Sequence, residues 1–274
     1  MTKDFLSIED LSKKEIIEII DFAKQFKSDD GSFRKEDLFP DKTIANIFCE
    51  PSTRTKSSFE IAAKNLGCTV IDFDVASSSI QKGESIFETI DALSLMGVDL
   101  CVLRHKDSVI RELAPNMQDI IFINAGEGTI SHPTQTLIDL MTIKDYKSSL
   151  DDLNILIFGD LDHSRVTTSF CEGISKFSSN NITFSGEPSM CTQYQNSNLG
   201  KYEPNLDKAI IDADVIMALR IQHERFETDT SLNLDEYKQS FGLTSERLDL
   251  ARGDVILMHP GPVNFIEISE NVYN

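Results

Sequence analysis

The sequence predicts an α/β protein made of two doubly wound parallel-sheet domains with a cleft between them. Three observations carry this reading. Short runs rich in Val, Ile and Leu alternate with amphipathic segments, which is the pattern of β-α-β units whose strands are covered on both faces. The alternation comes as two series, separated by one amphipathic segment that opens at Pro133. The chain has 274 residues, enough for two medium domains with ample core.

The elements follow in order. Ser12 and Glu15 form a capping box, and Ile16, Ile19, Ile20, Ala23 and Phe26 recur at helical spacing, so a helix starts at Ser12. A polar stretch, Ser28 to Lys35, follows it. Thr43–Cys49 reads as a strand, Ser52–Leu66 as a helix stopped by Gly67, and Cys68–Phe73 as a strand. Ser85–Met96 is a helix, and Val98–Leu103 and Ile120–Ile123 are strands. Pro133 suits the first turn of a helix running to about Tyr146. In the second series Leu153–Phe158 is a strand, His163–Phe177 a helix and Asn181–Phe184 a strand. Leu206–Asp212 is a short helix, and Asp214–Leu219 and Val255–His259 are strands.

Composition narrows the function. There are 45 acidic and 26 basic side chains, a formal charge of −19. Phosphate polymers and anionic membranes would be repelled, so neither nucleic acid nor membrane is an expected partner. No apolar run approaches a membrane span, and the N-terminus lacks a signal-peptide pattern. The five cysteines, Cys49, Cys68, Cys101, Cys171 and Cys191, contain no C-x-x-C pair. They read as reduced, buried thiols of a cytoplasmic protein.

Ligands of such folds sit beyond the C-terminal ends of the strands. After the first strand comes Glu50-Pro51-Ser52-Thr53-Arg54-Thr55-Lys56. A helix start with hydroxyls and an Arg fits an anion site, because the free N–H groups, the dipole and the guanidinium all attract negative charge. The same residues also fit an ordinary capped helix with solvated charges. After the second strand comes Ser77-Ser78-Ser79-Ile80-Gln81-Lys82-Gly83-Glu84, either a mobile polar loop or a movable cation. Arg104-His105, His132-Pro133-Thr134-Gln135, Gly159 to Arg165, Arg220-Ile221-Gln222 and His259-Pro260-Gly261-Pro262 follow the later strands. Arg54, Lys82, Arg104, Arg165 and Arg220 thus lie at equivalent strand ends in a chain poor in cations. That pattern fits substrates carrying several negative charges. P-loop, dinucleotide, G-x-S-x-G and H-E-x-x-H signatures are missing, so no metal or cofactor is expected.

These motifs closely resemble those of the aspartate carbamoyltransferase catalytic chain, over nearly the whole length from Phe5 to about Asn264. They include Ser52-Thr53-Arg54-Thr55 with Ser58-Phe59-Glu60, and Gln81-Lys82-Gly83-Glu84-Ser85. Arg104-His105, His132-Pro133-Thr134-Gln135, His163-Ser164-Arg165-Val166, Leu219-Arg220-Ile221-Gln222 and His259-Pro260-Gly261-Pro262-Val263-Asn264 complete the set. The His-Cys-Leu-Pro and Ser-Met-Gly motifs of ornithine enzymes do not occur.

The resemblance implies the carbamoyltransferase fold and transfer of a carbamoyl group from carbamoyl phosphate to L-aspartate. Ser52, Thr53, Arg54 and Thr55 would hold the phosphate. Arg104, His132 and Thr55 would polarise the carbonyl, and Gln135 would hold the carbamoyl amine. Arg165 and Arg220, with Gln222, would clamp the aspartate carboxylates. The backbone around Gly261 and Pro262, with a cis peptide between them, would accept hydrogen bonds from the reacting amines. Ser78 and Lys82 would serve a neighbouring subunit of a homotrimer. Implied boundaries are a carbamoyl-phosphate domain at 1–132, a linking helix at 133–149 and an aspartate domain at 150–260. A terminal segment, 261–274, would return toward the first domain. Relatives carry an Arg after the Pro-Val-Asn of the last motif and continue into a long final helix. Here Phe265-Ile266-Glu267-Ile268 follows, one residue shorter and without the Arg, and the sequence ends at Asn274. Three other readings remain: an acceptor other than aspartate, such as ornithine; a catalytically silent subunit; and a simple anion-binding protein that would bind carbamoyl phosphate without turnover.

Overall fold

The computed structural model describes residues 4–221 and 233–273. By contacts the chain divides into two compact units, Met1–Leu137 and Ile138–Asn274.

The first unit opens with helix α1 (Lys13–Lys24), closed by the predicted Ser12/Glu15 capping box. Its sheet comprises β1 (Thr43–Phe48), β2 (Thr69–Phe73), β3 (Leu100–His105) and β4 (Ile121–Glu127), all parallel in the order β2-β1-β3-β4. The crossovers carry α2 (Arg54–Asn65), α3 (Ile86–Leu95) and the single turn α4 (Ile110–Leu113). Ala45, Ile47, Cys101, Leu103 and Phe122 form the middle of the core, against Ile90 and Leu93 of α3.

Helix α5 (Pro133–Lys147) follows, and the boundary between the units falls inside it. The second unit holds β5 (Asn154–Gly159), α6 (Arg165–Ile174), β6 (Asn181–Ser185), the two-residue β7 (Lys201–Tyr202) and the single turn α7 (Leu206–Ala209). Then come β8 (Val215–Leu219), α8 (Leu234–Phe241), α9 (Ser245–Leu248), β9 (Ile256–Met258) and α10 (Glu270–Tyr273). The parallel strand order is β7-β6-β5-β8-β9. Leu156, Phe158, Ile216 and Ala218 are its buried centre.

Several boundaries differ from expectation, each for a local reason. Strand β3 runs on through Arg104 and His105, because Arg104 pairs with Phe48 and its carbonyl accepts the Cys49 N–H at 2.9 Å. Strand β4 continues to Glu127 rather than stopping at Ile123. Helix α6 starts at Arg165, not His163, because Ser164 is its cap. The segment from Asn233 to Leu248 forms α8 and α9, whose starts are capped by Asn233 and Thr244. The terminal segment packs on the second unit: Leu243 donates to the Glu267 carbonyl at 2.9 Å, and Val263, Ile268 and Val272 join the second core. The five thiols are free. Burial pushes Cys49 up to about 11 and Cys171 up to about 12.

Each sheet is pinned by one carboxylate. Asp99 immediately precedes β3; its Oδ2 accepts the Thr43 N–H at 2.9 Å and its Oδ1 meets Lys42 Nζ at 2.6 Å. Asp214 immediately precedes β8; its Oδ2 accepts the Asn154 N–H at 2.9 Å and its Oδ1 meets Arg252 Nη1 at 2.8 Å. The backbones match as well. Asp99 donates to Thr43 and its carbonyl accepts from Ile121; Asp214 donates to Asn154 and its carbonyl accepts from Ile256. One residue therefore sets the start of three strands in each unit. The Asp214 side chain is 7% exposed against 31% for Asp99. Asp214→Ala is expected to lose about 1–3 kcal/mol in urea unfolding, and Asp99→Ala less. Lys42 holds the Asp99 carboxyl below its ordinary range, together with the Thr43 N–H. Its contribution is full at neutral pH and fades as pH falls through that lowered value, so the gap between Asp99→Ala and the parent should narrow in acid.

Candidate active site

In the first unit the exit of β1 leads through Cys49–Thr53 into α2. Helices α1 and α3 have their first turns closed by Ser–Glu capping boxes, and α6 by Ser164. Helix α2 does not. Thr53, its N-cap residue, has helical backbone angles of −79° and −56°, and its hydroxyl makes no capping bond. The end is therefore left with unsatisfied N–H donors and a positive dipole, with Arg54 exposed on its first residue. The ordinary capped helix that the sequence equally allowed is not what forms.

Arg104 lies beside this end because β3 neighbours β1. Its Nη1 donates to Ser52 Oγ at 3.4 Å and its Nε to Glu50 Oε2 at 3.2 Å. Both ends of that ion pair are largely buried, at 15% and 21% exposed, so the guanidinium is held in one orientation. Gly128, past β4, donates to the His105 carbonyl at 3.1 Å. The turn that leads to His132 is thus tied to the residue next to Arg104. His132 is 7% exposed, and its Nδ1 lies 3.5 Å from Thr134 Oγ1. Its carbonyl accepts from the N–H of Gln135 and of Thr136, which makes the first turn of α5. Buried Glu127 was not singled out from sequence; its Oε1 accepts the Ile110 N–H at 2.6 Å and supports the start of α4.

Ser78 and Lys82 sit after β2, the edge strand. Ser78 Oγ donates to the Val75 carbonyl at 2.8 Å. Lys82 ends a short 3-10 turn and is exposed; Gly83 follows it with φ +98°, a left-handed conformation suited to glycine.

In the second unit Gly159 and Leu219 are registered partners on β5 and β8, so Asp160 and Arg220 leave the sheet side by side. Gly159 has φ +117°, and a side chain there would strike the Leu219 carbonyl. Buried Asp160 contacts His163 Nδ1 at 2.7 Å, and Arg165 forms the first residue of α6. The Gly261–Pro262 peptide is cis. Gln222 lies outside the described residues, as does His223. Among the described residues no cluster of His, Cys, Asp or Glu is arranged to hold a metal, and no helix is long and apolar enough to cross a membrane.

Glu267, which no motif singled out, completes this part. His259 Nε2 and Glu267 Oε1 are 3.0 Å apart, and Asn264 Nδ2 donates to the Ile221 carbonyl at 3.3 Å. They tie the cis turn to the strand exit that carries Arg220.

Comparison with known proteins gives this geometry a lineage. The profile described as "Aspartate/ornithine carbamoyltransferase, carbamoyl-P binding domain" matches residues 3–145, and that described as "Aspartate/ornithine carbamoyltransferase, Asp/Orn binding domain" matches 151–274. The chain is 41% identical to the aspartate carbamoyltransferase catalytic subunit of Caldanaerobacter subterraneus subsp. tengcongensis, covering 100% of this chain and 90% of that protein. It is 43% identical to that of Desulforapulum autotrophicum, over 98% and 87%. Among solved structures, the catalytic subunit of M. Jannaschii aspartate transcarbamoylase superposes with a TM-score of 0.84 at 34% identity, covering 100% and 90%. The Trypanosoma cruzi aspartate transcarbamoylase in complex with carbamoyl aspartate and phosphate superposes at 0.85 and 29% identity, covering 98% and 87%. Sequence and fold agree along the whole chain, which belongs to the aspartate/ornithine carbamoyltransferase family and, within it, groups with the aspartate carbamoyltransferase catalytic subunits.

Proposed function

We propose that this protein transfers the carbamoyl group of carbamoyl phosphate to the amino group of L-aspartate. The products are N-carbamoyl-L-aspartate and phosphate, and the reaction is the carbamoylation step of pyrimidine biosynthesis. The observation that carries the reading is the uncapped N-terminus of α2 beside the fixed Arg104. It is an anion cradle built from backbone donors and two guanidinium groups. The relatives named aspartate carbamoyltransferase supply the choice of acceptor.

The chemistry asks little covalent work of the protein. The α-amino nitrogen attacks the carbonyl carbon of a mixed anhydride, a tetrahedral oxyanion forms, and the C–O bond to phosphate breaks. Phosphate leaves readily and can take up the amine proton. What must be overcome is the mutual repulsion of two anions and the charge that develops on the carbonyl oxygen. Ser52, Thr53, Arg54 and Thr55 take the phosphate. Arg104, His132 and Thr55 donate to the carbonyl oxygen as it gains charge, and Gln135 orients the carbamoyl NH2. Arg165, Arg220 and Gln222 hold the aspartate carboxylates. The backbone carbonyls around Gly261 and Pro262 receive the amine N–H groups. Lys82 and Ser78, exposed and half-buried on a loop of the edge strand, are assigned to a neighbouring subunit's site in a homotrimer of the cytoplasm.

The decisive test is a steady-state assay with carbamoyl phosphate, comparing L-aspartate with L-ornithine. Turnover with aspartate and not ornithine is expected; no phosphate release with either would establish a silent subunit instead. Arg54→Ala should lower kcat by roughly 10³-fold with an unchanged circular dichroism spectrum, and near-normal turnover would remove Arg54 from the site. Mixing inactive Arg54→Ala chains with inactive Lys82→Ala chains should restore activity, because a mixed trimer rebuilds some intact shared sites. Mixed trimers seen by native mass spectrometry but lacking activity would sink the shared site. The net charge of −19 repels both substrates at long range, so moderate salt should raise kcat/KM for capture by screening. A steep initial fall on adding salt is the opposing result.

A further inference from the structure

We propose that His259 and Glu267 act as a positioning pair. They fix the Pro260-Gly261-Pro262 turn so that its backbone carbonyls face the acceptor amine. The inference rests on the functional reading above and adds to it two residues that do not touch substrate.

The argument begins with donors. A Pro-Gly-Pro turn has three carbonyls but a single N–H, that of Gly261, because both prolines lack one. That N–H donates to His259 Nδ1 at 2.7 Å. No donor within the turn is then left for its carbonyls, which remain as outward acceptors. Because Nδ1 accepts, the ring proton must sit on Nε2, and Nε2 donates to Glu267 Oε1 at 3.0 Å. The same Oε1 accepts the Asn264 N–H at 3.2 Å. Asn264 Oδ1 in turn accepts from Ile266, and its amide reaches the Ile221 carbonyl beside Arg220. One carboxylate oxygen thereby orients both the turn and the strand exit.

Burial separates this device from a surface ion pair. The His259 side chain is 7% exposed and Glu267 is fully buried. Glu267 Oε2 is buried, with no hydrogen-bond partner among the described residues. A buried half-satisfied carboxylate costs stability, and a chain selected for stability alone gains nothing by keeping it. The costly arrangement supports orientation instead, as buried polar partners do for the groups that meet ligand in other sites. Pro262 in the turn is exposed, while the carboxylate at the far end of the chain of bonds, Glu267, is fully buried.

Two pairs of variants test this. Glu267→Ala removes the acceptor, whereas Glu267→Gln keeps Oε1 in place. His259→Gln keeps a donor toward Glu267 but loses the acceptor for Gly261, whereas His259→Asn does the reverse. Glu267→Ala and His259→Gln should each lower kcat by about tenfold to a hundredfold, with KM for carbamoyl phosphate within about twofold. Glu267→Gln should recover most of that loss. The proposal is overturned if Glu267→Ala keeps the parent kcat, or if Glu267→Gln falls as far as Glu267→Ala. It is also overturned if the loss appears equally in carbamoyl phosphate binding, the mark of general unfolding. If the parent chain shows no carbamoyl transfer, the functional reading fails separately. The pair is then judged by the nitrogen-15 signals of the His259 ring: a proton on Nε2 that shifts in Glu267→Gln supports the pairing, and a proton on Nδ1 refutes it.

Discussion

Everything in this structure hangs on where three strands begin. A parallel sheet gains little from local turns, because each strand arrives after a long crossover and must find its register without a hairpin to set it. Asp99 and Asp214 solve that problem in the two units by the same means. Each stands one residue before a central strand, holds the first N–H of the neighbouring strand with a carboxylate oxygen, and exchanges backbone bonds with strands on both sides. Charge strengthens the bond to backbone N–H, and the nearby Lys42 or Arg252 keeps the carboxylate oriented. With the starts set, the residues at the strand ends, Arg104 and Arg220 among them, are set as well.

From those ends the site is assembled by register more than by long-range design. Phe48 opposite Arg104 places a guanidinium beside the loop that opens α2. Gly159 opposite Leu219 delivers Asp160 and Arg220 together. A slip of one residue would turn each of these side chains to the other face of its sheet. Arg104 and Arg220, at these strand ends, are among only 26 cations in a chain with 45 acidic side chains.

Much of this was legible in the sequence. The alternation of apolar runs named every strand of both sheets except the two-residue β7, whose length carries no periodic signal. The capping box at Ser12 marked its helix correctly, and the helix read from Ser85 has its cap there. Other features were not legible. Composition could not decide between a capped and an uncapped α2, since Ser52, Thr53 and Thr55 suit either; only the backbone angles of Thr53 separate them. The ends of β3 and β4 were read short because Arg104, His105 and Asn124 are polar, and the ladder extends through them by bonds to neighbouring strands that local pattern does not encode. Glu267 was read only as part of the segment that departs from the family pattern after Asn264. It becomes a buried partner of His259 only because residues 263–272 fold onto the second core. Helices α8 and α9 are short and capped by Asn233 and Thr244, a signal present in the sequence but too brief to stand out beside the strands.

The bare first turn of α2 has a thermodynamic side. Helix caps are inexpensive to acquire, often a single hydroxyl, and are worth about 1 kcal/mol. Here Thr53 stands at the cap position and its hydroxyl does not close the helix. The start of α2 therefore lacks the side-chain bond that closes α1, α3 and α6, and under the proposed function a bound anion would offset that deficit. Under the proposed function, ligand binding and folding of the first unit would be linked reactions, with the melting temperature rising as the logarithm of ligand concentration. Relieving the deficit with a permanent cap would make a sturdier first unit.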